Sequence, residues 1–154
     1  MGLFSSLFGK PVILEDEVFG ALQFATPNKG EVGSYFSSNS VFFGPAGRTI
    51  YCSIEADLIG PTPAQQGFFR YVEENYAALI KDIIPHIEGE FQNWKPDFKV
   101  KDFEAEFWLV GMNIARLDEE LAEWEWSFET VHDANHTLTV HMHDDIPQGI
   151  HFDG

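Results

Sequence analysis

One long helical signature, residues 62–93, lies between stretches of two-residue alternation, and this arrangement limits the fold more than any other feature. Thr62-Pro63-Ala64-Gln65 puts an N-cap threonine, a proline at the first helical position and a glutamine at the third at the head of the segment. Proline lacks only an N–H that would be unpaired there, and the threonine and glutamine side chains can each satisfy another. From there Phe68, Val72, Tyr76, Ile80, Ile83, Ile87 and Phe91 recur at spacings of three and four, with Glu73, Glu74, Lys81 and Asp82 on the other side. Pro85 removes a backbone donor and crowds the preceding turn, so a kink or restart is expected there. His86, just beyond it, reads as structural.

The flanking segments alternate. Val18–Ala25 is a strand closed by the turn residues Thr26-Pro27-Asn28-Lys29-Gly30. Ser40–Phe43 and Arg48–Ala56 flank Gly44-Pro45-Ala46-Gly47 as a hairpin, and Ile50, Cys52, Ile54 and Ala56 share its inner face. Cys52 therefore reads as a buried, inert thiol. Phe103, Ala105, Phe107 and Leu109 alternate with Glu104, Glu106 and Trp108, and the strand continues or bends at Gly111. In Glu123–Glu129 the rings of Trp124, Trp126 and Phe128 face one way, the core side, and Glu123, Glu125 and Glu129 the other. His132-Asp133-Ala134-Asn135 is the expected turn into a last strand, His136–His143. Strands, one helical segment, then strands again predict an α+β domain. Its mostly antiparallel sheet is covered on one face by the kinked segment at about 62–93.

The 154 residues suffice for one domain with a real core, here assigned to residues 11–154. Residues 1–10 read as an apolar arm, with Leu3, Phe4, Leu7 and Phe8 on one helical face. Gly2 and Ser6 also match a myristoylation pattern, for which the docking arm is the plainer explanation. No signal peptide or membrane-length apolar run is recognisable, and one cysteine fits a reducing compartment, so a cytoplasmic protein is expected.

A net charge of −16 argues against nucleic acid, whose phosphates need clustered Lys and Arg, and favours a basic protein partner. The charge is concentrated. Leu117–Gly154 holds ten carboxylates, five of the six histidines and no lysine or arginine. In its last strand His141 and His143 project from one face about 7 Å apart, with Asp144, Asp145, His151 and Asp153 close behind. Imidazoles with a carboxylate are the usual first shell of zinc or non-haem iron, so His141, His143, Asp145 and His151 are the candidate ligands of a divalent metal. His-x-His supplies only two ligands, and a solvated polar face explains the same residues. Nucleophilic catalysis has less support: no Gly-x-Ser-x-Gly elbow occurs and Cys52 has no evident base.

For partner binding the candidates are Trp94, in a loop, and Trp108, on the glutamate side of its strand with Glu104 and Glu106. An exposed ring among acids suits a basic surface, with charge steering the encounter and the ring anchoring it. Protonating all six histidines would bring the net charge from −16 to −10, which makes the surface pH-sensitive.

The frame Gly60-Pro61-Thr62-Pro63-Ala64-Gln65-Gln66-Gly67-Phe68-Phe69, Trp124-Glu125-Trp126-Ser127-Phe128-Glu129, His136-Thr137-Leu138-Thr139-Val140 and Asp153-Gly154 resembles a family of small, acidic, uncharacterised bacterial proteins. The opening Gly2-Leu3-Phe4 with Leu7-Phe8-Gly9-Lys10 is similar to starts in that group. The resemblance spans nearly the whole chain but brings no catalytic residues. It implies a bacterial protein and brings no established activity, while the analogy with look-alike small acidic proteins that act as immunity partners of secreted toxins adds to the binding reading; no cofactor is expected. The expected function is thus a non-enzymatic acidic module for a basic protein; the alternative is a small metal-dependent hydrolase using the C-terminal His/Asp cluster.

Overall fold

A computed structural model describes residues 11–26, 33–117 and 122–154. The apolar arm with its myristoylation pattern, and the turn expected at 26–30 apart from Thr26, lie outside the described residues. Eight strands form one sheet in chain order: β1 (Ile13–Asp16), β2 (Gly20–Ala25), β3 (Tyr35–Phe43), β4 (Arg48–Glu55), β5 (Phe107–Ile114), β6 (Glu123–Thr130), β7 (Asp133–His143) and β8 (Ile146–Asp153). Every neighbouring pair is antiparallel except β4 and β5, which are parallel. A parallel pair needs a crossover, and the helical segment supplies it. The domain is α+β as expected, although the sheet is far larger than the readable strands implied.

The two-residue period gives the sheet one apolar face. Phe24, Phe36, Ile54, Ile114, Trp124 and Met142 stand in register across six strands. Beside them run Cys52, Met112, Trp126 and Val140, all buried. Against this face pack Phe69, Val72, Leu79, Ile83 and Ile87 from the helices. The next residue along each strand lies on the opposite face, left uncovered among the described residues. There one row crosses all eight strands: Ile13, Gln23, Ser37, Ser53, Asn113, Glu125, His141 and Gly149. Six of those eight residues have polar side chains, which suits a face that no described helix covers.

Thr62 caps helix α1 (Pro63–Glu74) through the reciprocal bonds its sequence foretells, Gln65 N–H to Thr62 Oγ1 at 3.2 Å and Thr62 N–H to Gln65 Oε1 at 3.0 Å. The expected kink is displaced. The segment breaks at Asn75, whose side-chain amide donates to the Tyr71 carbonyl at 2.8 Å, and α2 (Tyr76–Phe91) then runs through Pro85 without interruption. An amide that competes for a backbone carbonyl ends a helix locally, whereas an exposed proline costs its turn one hydrogen bond.

Three further expectations need correction. Phe103–Glu106 is a helical turn, α3, and not strand; the strand begins at Phe107. Asp102 accepts from the Ala105 N–H, and Phe103 and Phe107 stack at 5.2 Å, four residues apart and helix-compatible. The β6–β7 turn is Val131-His132, so Asp133 already pairs with Thr130 and belongs to β7. Finally, His136–His143 is not the last strand: Ile146–Asp153, to which the sequence pattern assigned no element, adds β8 to the sheet edge, with Pro147 tolerated where edge strands admit it. The strand irregularity expected near Gly111 is present as a register shift between Leu109 and Gly111.

Candidate functional site

Strands β3 to β7 build a groove on the uncovered face. Its volume is about 390 Å³ and its lining carries the carboxylates of Glu55, Glu123 and Glu125, the rings of His141 and His143, and Tyr35. Among the described residues no lysine or arginine belongs to the lining itself. Glu123 and Glu125 point out of β6 because Trp124, between them, is buried against Phe68 of α1. His141 and His143 stand opposite them on β7 for the same reason, with Met142 buried between.

Each histidine takes the carboxylate across from it. His141 Nδ1 lies 2.7 Å from Glu125 Oε1, and His143 Nε2 lies 3.1 Å from Glu123 Oε1. Asn113 on β5 donates to the other Glu125 oxygen at 3.4 Å. On the outer side of β7, His141 Nε2 is 2.8 Å from His151 Nδ1, and His151 Nε2 is within 3.1 Å of both Asp153 oxygens. At the groove's other wall Arg116 binds Glu55 at 3.3 Å and Asp57 at 2.6 Å. Its guanidinium holds the Asp57 carboxyl below the usual range by hydrogen bonding and by charge.

The four candidate metal ligands are thus only partly assembled. His141 meets His151, ten residues on; His143 turns to Glu123; Asp145, in the β7–β8 turn, accepts from Tyr71 Oη of α1 at 2.5 Å. That bond raises the Tyr71 hydroxyl above its ordinary range. Among the described residues no three His, Cys, Asp or Glu side chains converge on one ion position.

The partner-binding candidates separate as well. Trp94, half exposed, rests edge-on against Phe91 and Phe152, on the helical side. Trp108 stands on the uncovered face, half-buried, with its indole N–H on Glu129 at 2.9 Å. It lies opposite Glu129, four residues along β6 from Glu125 and so roughly 13 Å from the near end of the groove. Glu104 is exposed on α3, beside Tyr76 of α2. Glu106 is occupied. Its oxygens accept from the Lys101 and Asp102 N–H groups at 2.7 and 2.5 Å and meet His132 Nε2 at 2.6 Å. Burial works to raise its carboxyl, but these contacts outweigh it and leave the group below the ordinary carboxylate range.

Cys52 is fully buried, and burial, helped by Glu73, pushes its thiol up to about 12. It is protonated and shielded, as the strand pattern indicated, and offers no nucleophile. Glu123, Glu125 and Asp153 are the residues that sequence reasoning passed over as site members. Their signal was the alternation itself, which placed the two glutamates on the outward face of β6. No family model, curated protein or solved structure matches the chain.

Proposed function

We propose that the protein is a non-enzymatic acidic binding module whose groove on the uncovered sheet face receives lysine or arginine side chains of a basic protein. The groove carries this reading: three carboxylates and two imidazoles around a space of about 390 Å³, with Glu123 and Glu125 free of any lysine or arginine partner among the described residues and only Glu55 paired, with Arg116 at the wall. Charge of one sign in a concave wall attracts and orients the opposite charge, and the chain's −16 extends that steering beyond contact. Trp108 on the same face supplies the aromatic contact for a longer partner; Trp94, on the helical side, falls outside this surface. The hydrolase alternative draws on less, because two of its four named ligands face other partners.

Calorimetric titration with a decalysine peptide tests the reading. The Glu123→Gln/Glu125→Gln variant should bind at least tenfold more weakly, in keeping with two lost charges at about 1 kcal/mol each. Trp108→Ala should weaken a longer basic ligand, Trp94→Ala should not, and added salt should weaken all binding. Equal affinity in the glutamate variant, or indifference to salt, would sink it.

A further inference from the structure

The loop between β4 and α1 carries two apolar side chains into solvent, Leu58 at 62% and Ile59 at 93% exposed, and Val12, just ahead of β1, is exposed as well. The same loop walls a pocket of about 340 Å³, with Ala56, Ile59, Gly60, Ala64 and Leu117 in its lining. The polar groups around it are already paired. Thr62 and Gln65 bond each other, Gln65 also holds the Glu55 and Ala115 carbonyls, and Arg116 pairs with Glu55 and Asp57. Such a hollow is stabilised by an apolar occupant that excludes water, not by an ion.

The chain enters the sheet next to this pocket. β2 ends at Ala25, which pairs with Tyr35, and Tyr35 pairs with Glu55 of the pocket wall, so the antiparallel β1 begins at that same end. Leu14 of β1 packs against Gly60, where φ is +103° and a Cβ would collide with it. Pro11 stands three residues ahead of Leu14, roughly 10 Å along the strand. Residues 1–10 precede it. They span about 15 Å as helix and about 33 Å extended, so the pocket is within reach either way. Their sequence suits it too: Leu3 with Leu7 and Phe4 with Phe8 are i, i+4 pairs. None of the chain's 25 acidic residues lies among them, and Lys10 is cationic, so the acidic body attracts the arm. A second copy would bring −16 against −16, which opposes the same contact made between chains.

We propose that residues 1–10 dock on this pocket of their own chain, with Leu7 and Phe8 filling the hollow and Leu3 and Phe4 covering Leu58 and Ile59. Phe8 is the large ring nearest the tether, three residues from Pro11, which matches the roughly 10 Å to be crossed. Docking takes apolar surface of both partners out of water at little loss of freedom, because the tether already holds them together. Among the described residues the pocket shares only Glu55 with the cation-binding groove, so the docking does not rest on that reading.

Disulfide trapping in the full chain tests the docking. Phe8→Cys/Ile59→Cys should close an intramolecular bond under mild oxidation, because docking brings the two Cα atoms within about 7 Å. Phe8→Cys/Val131→Cys is the comparison. Val131 is exposed past the far end of β6, roughly 25 Å along the strand, and should react roughly tenfold more slowly. Native Cys52 is buried and stays out of the exchange. Leu7→Asp/Phe8→Asp gives a second readout with the hydrophobic dye anilinonaphthalene sulfonate. Its fluorescence should rise when the arm leaves the pocket, whereas an arm already exposed in the wild type would make it fall. Trapping no faster at Ile59 than at Val131, or a dye signal that falls or stays level, would overturn the docking. So would bonds formed only between two chains, which would make a second copy the occupant. Sedimentation of the wild type with phosphatidylcholine vesicles, lost in the arm variant, would place the arm in lipid and overturn it as well.

Discussion

The side-chain amide of Gln65 donates to the carbonyl of Ala115, 3.0 Å away and one residue past the end of β5. The same nitrogen donates to Glu55 O at 2.8 Å, where β4 ends, and its Oε1 accepts from Thr62. One buried side chain therefore ties the start of α1 to the ends of the parallel strand pair. Gln65→Leu keeps the volume but leaves two carbonyls and one N–H without a partner. The expected cost is about 3 kcal/mol, or a Tm lower by roughly 6–12 °C in thermal unfolding. An unchanged Tm would show that water replaces the amide.

Pro85 sits inside α2 on its exposed side and withholds an N–H that the Lys81 carbonyl would accept. Pro85→Ala restores that bond and removes the ring's clash. It should raise stability by about 1–3 kcal/mol by denaturant unfolding, with no change in fold. A loss of stability would mean that Pro85 serves the helix through packing or through restriction of the unfolded chain.

Glu106 predicts a pH dependence. Its folded carboxyl lies below the ordinary range, so the stability it contributes is present above the unfolded value near 4.3 and is lost as pH falls through the folded value. Glu106→Gln should lower the Tm at neutral pH by an amount consistent with about 1–3 kcal/mol, and the difference from wild type should shrink below about pH 4. A constant difference across that range would place the effect in shape and not in charge.

Metal content of freshly purified protein without a histidine tag bears on the hydrolase alternative. Substoichiometric zinc and iron are expected, because only two of the named ligands meet. Near-stoichiometric metal, lost in His141→Ala/His151→Ala, would move that alternative ahead of the binding module.

The residues themselves determined whatever depended on neighbours within a turn or on a simple period. Thr62-Pro63-Ala64-Gln65 started the helix because its caps act within three residues. Trp124, Trp126 and Phe128 went inward because alternate side chains of a strand have no other choice. Tertiary structure decided what local pattern left ambiguous. Phe103 to Leu109 alternates like a strand, yet Asp102 and Glu106 cap a helical turn there, because the i, i+4 pair of rings fits both periods. Ile150 and Phe152 alternate with His151 and Asp153, but a Pro-Gly-interrupted edge strand is legible only once β7 offers its free edge. The candidate site belongs to this second group. Glu125, His141 and His151 meet across three strands, and the register that joins them is set by every side chain of the core at once, not by their spacing in the chain.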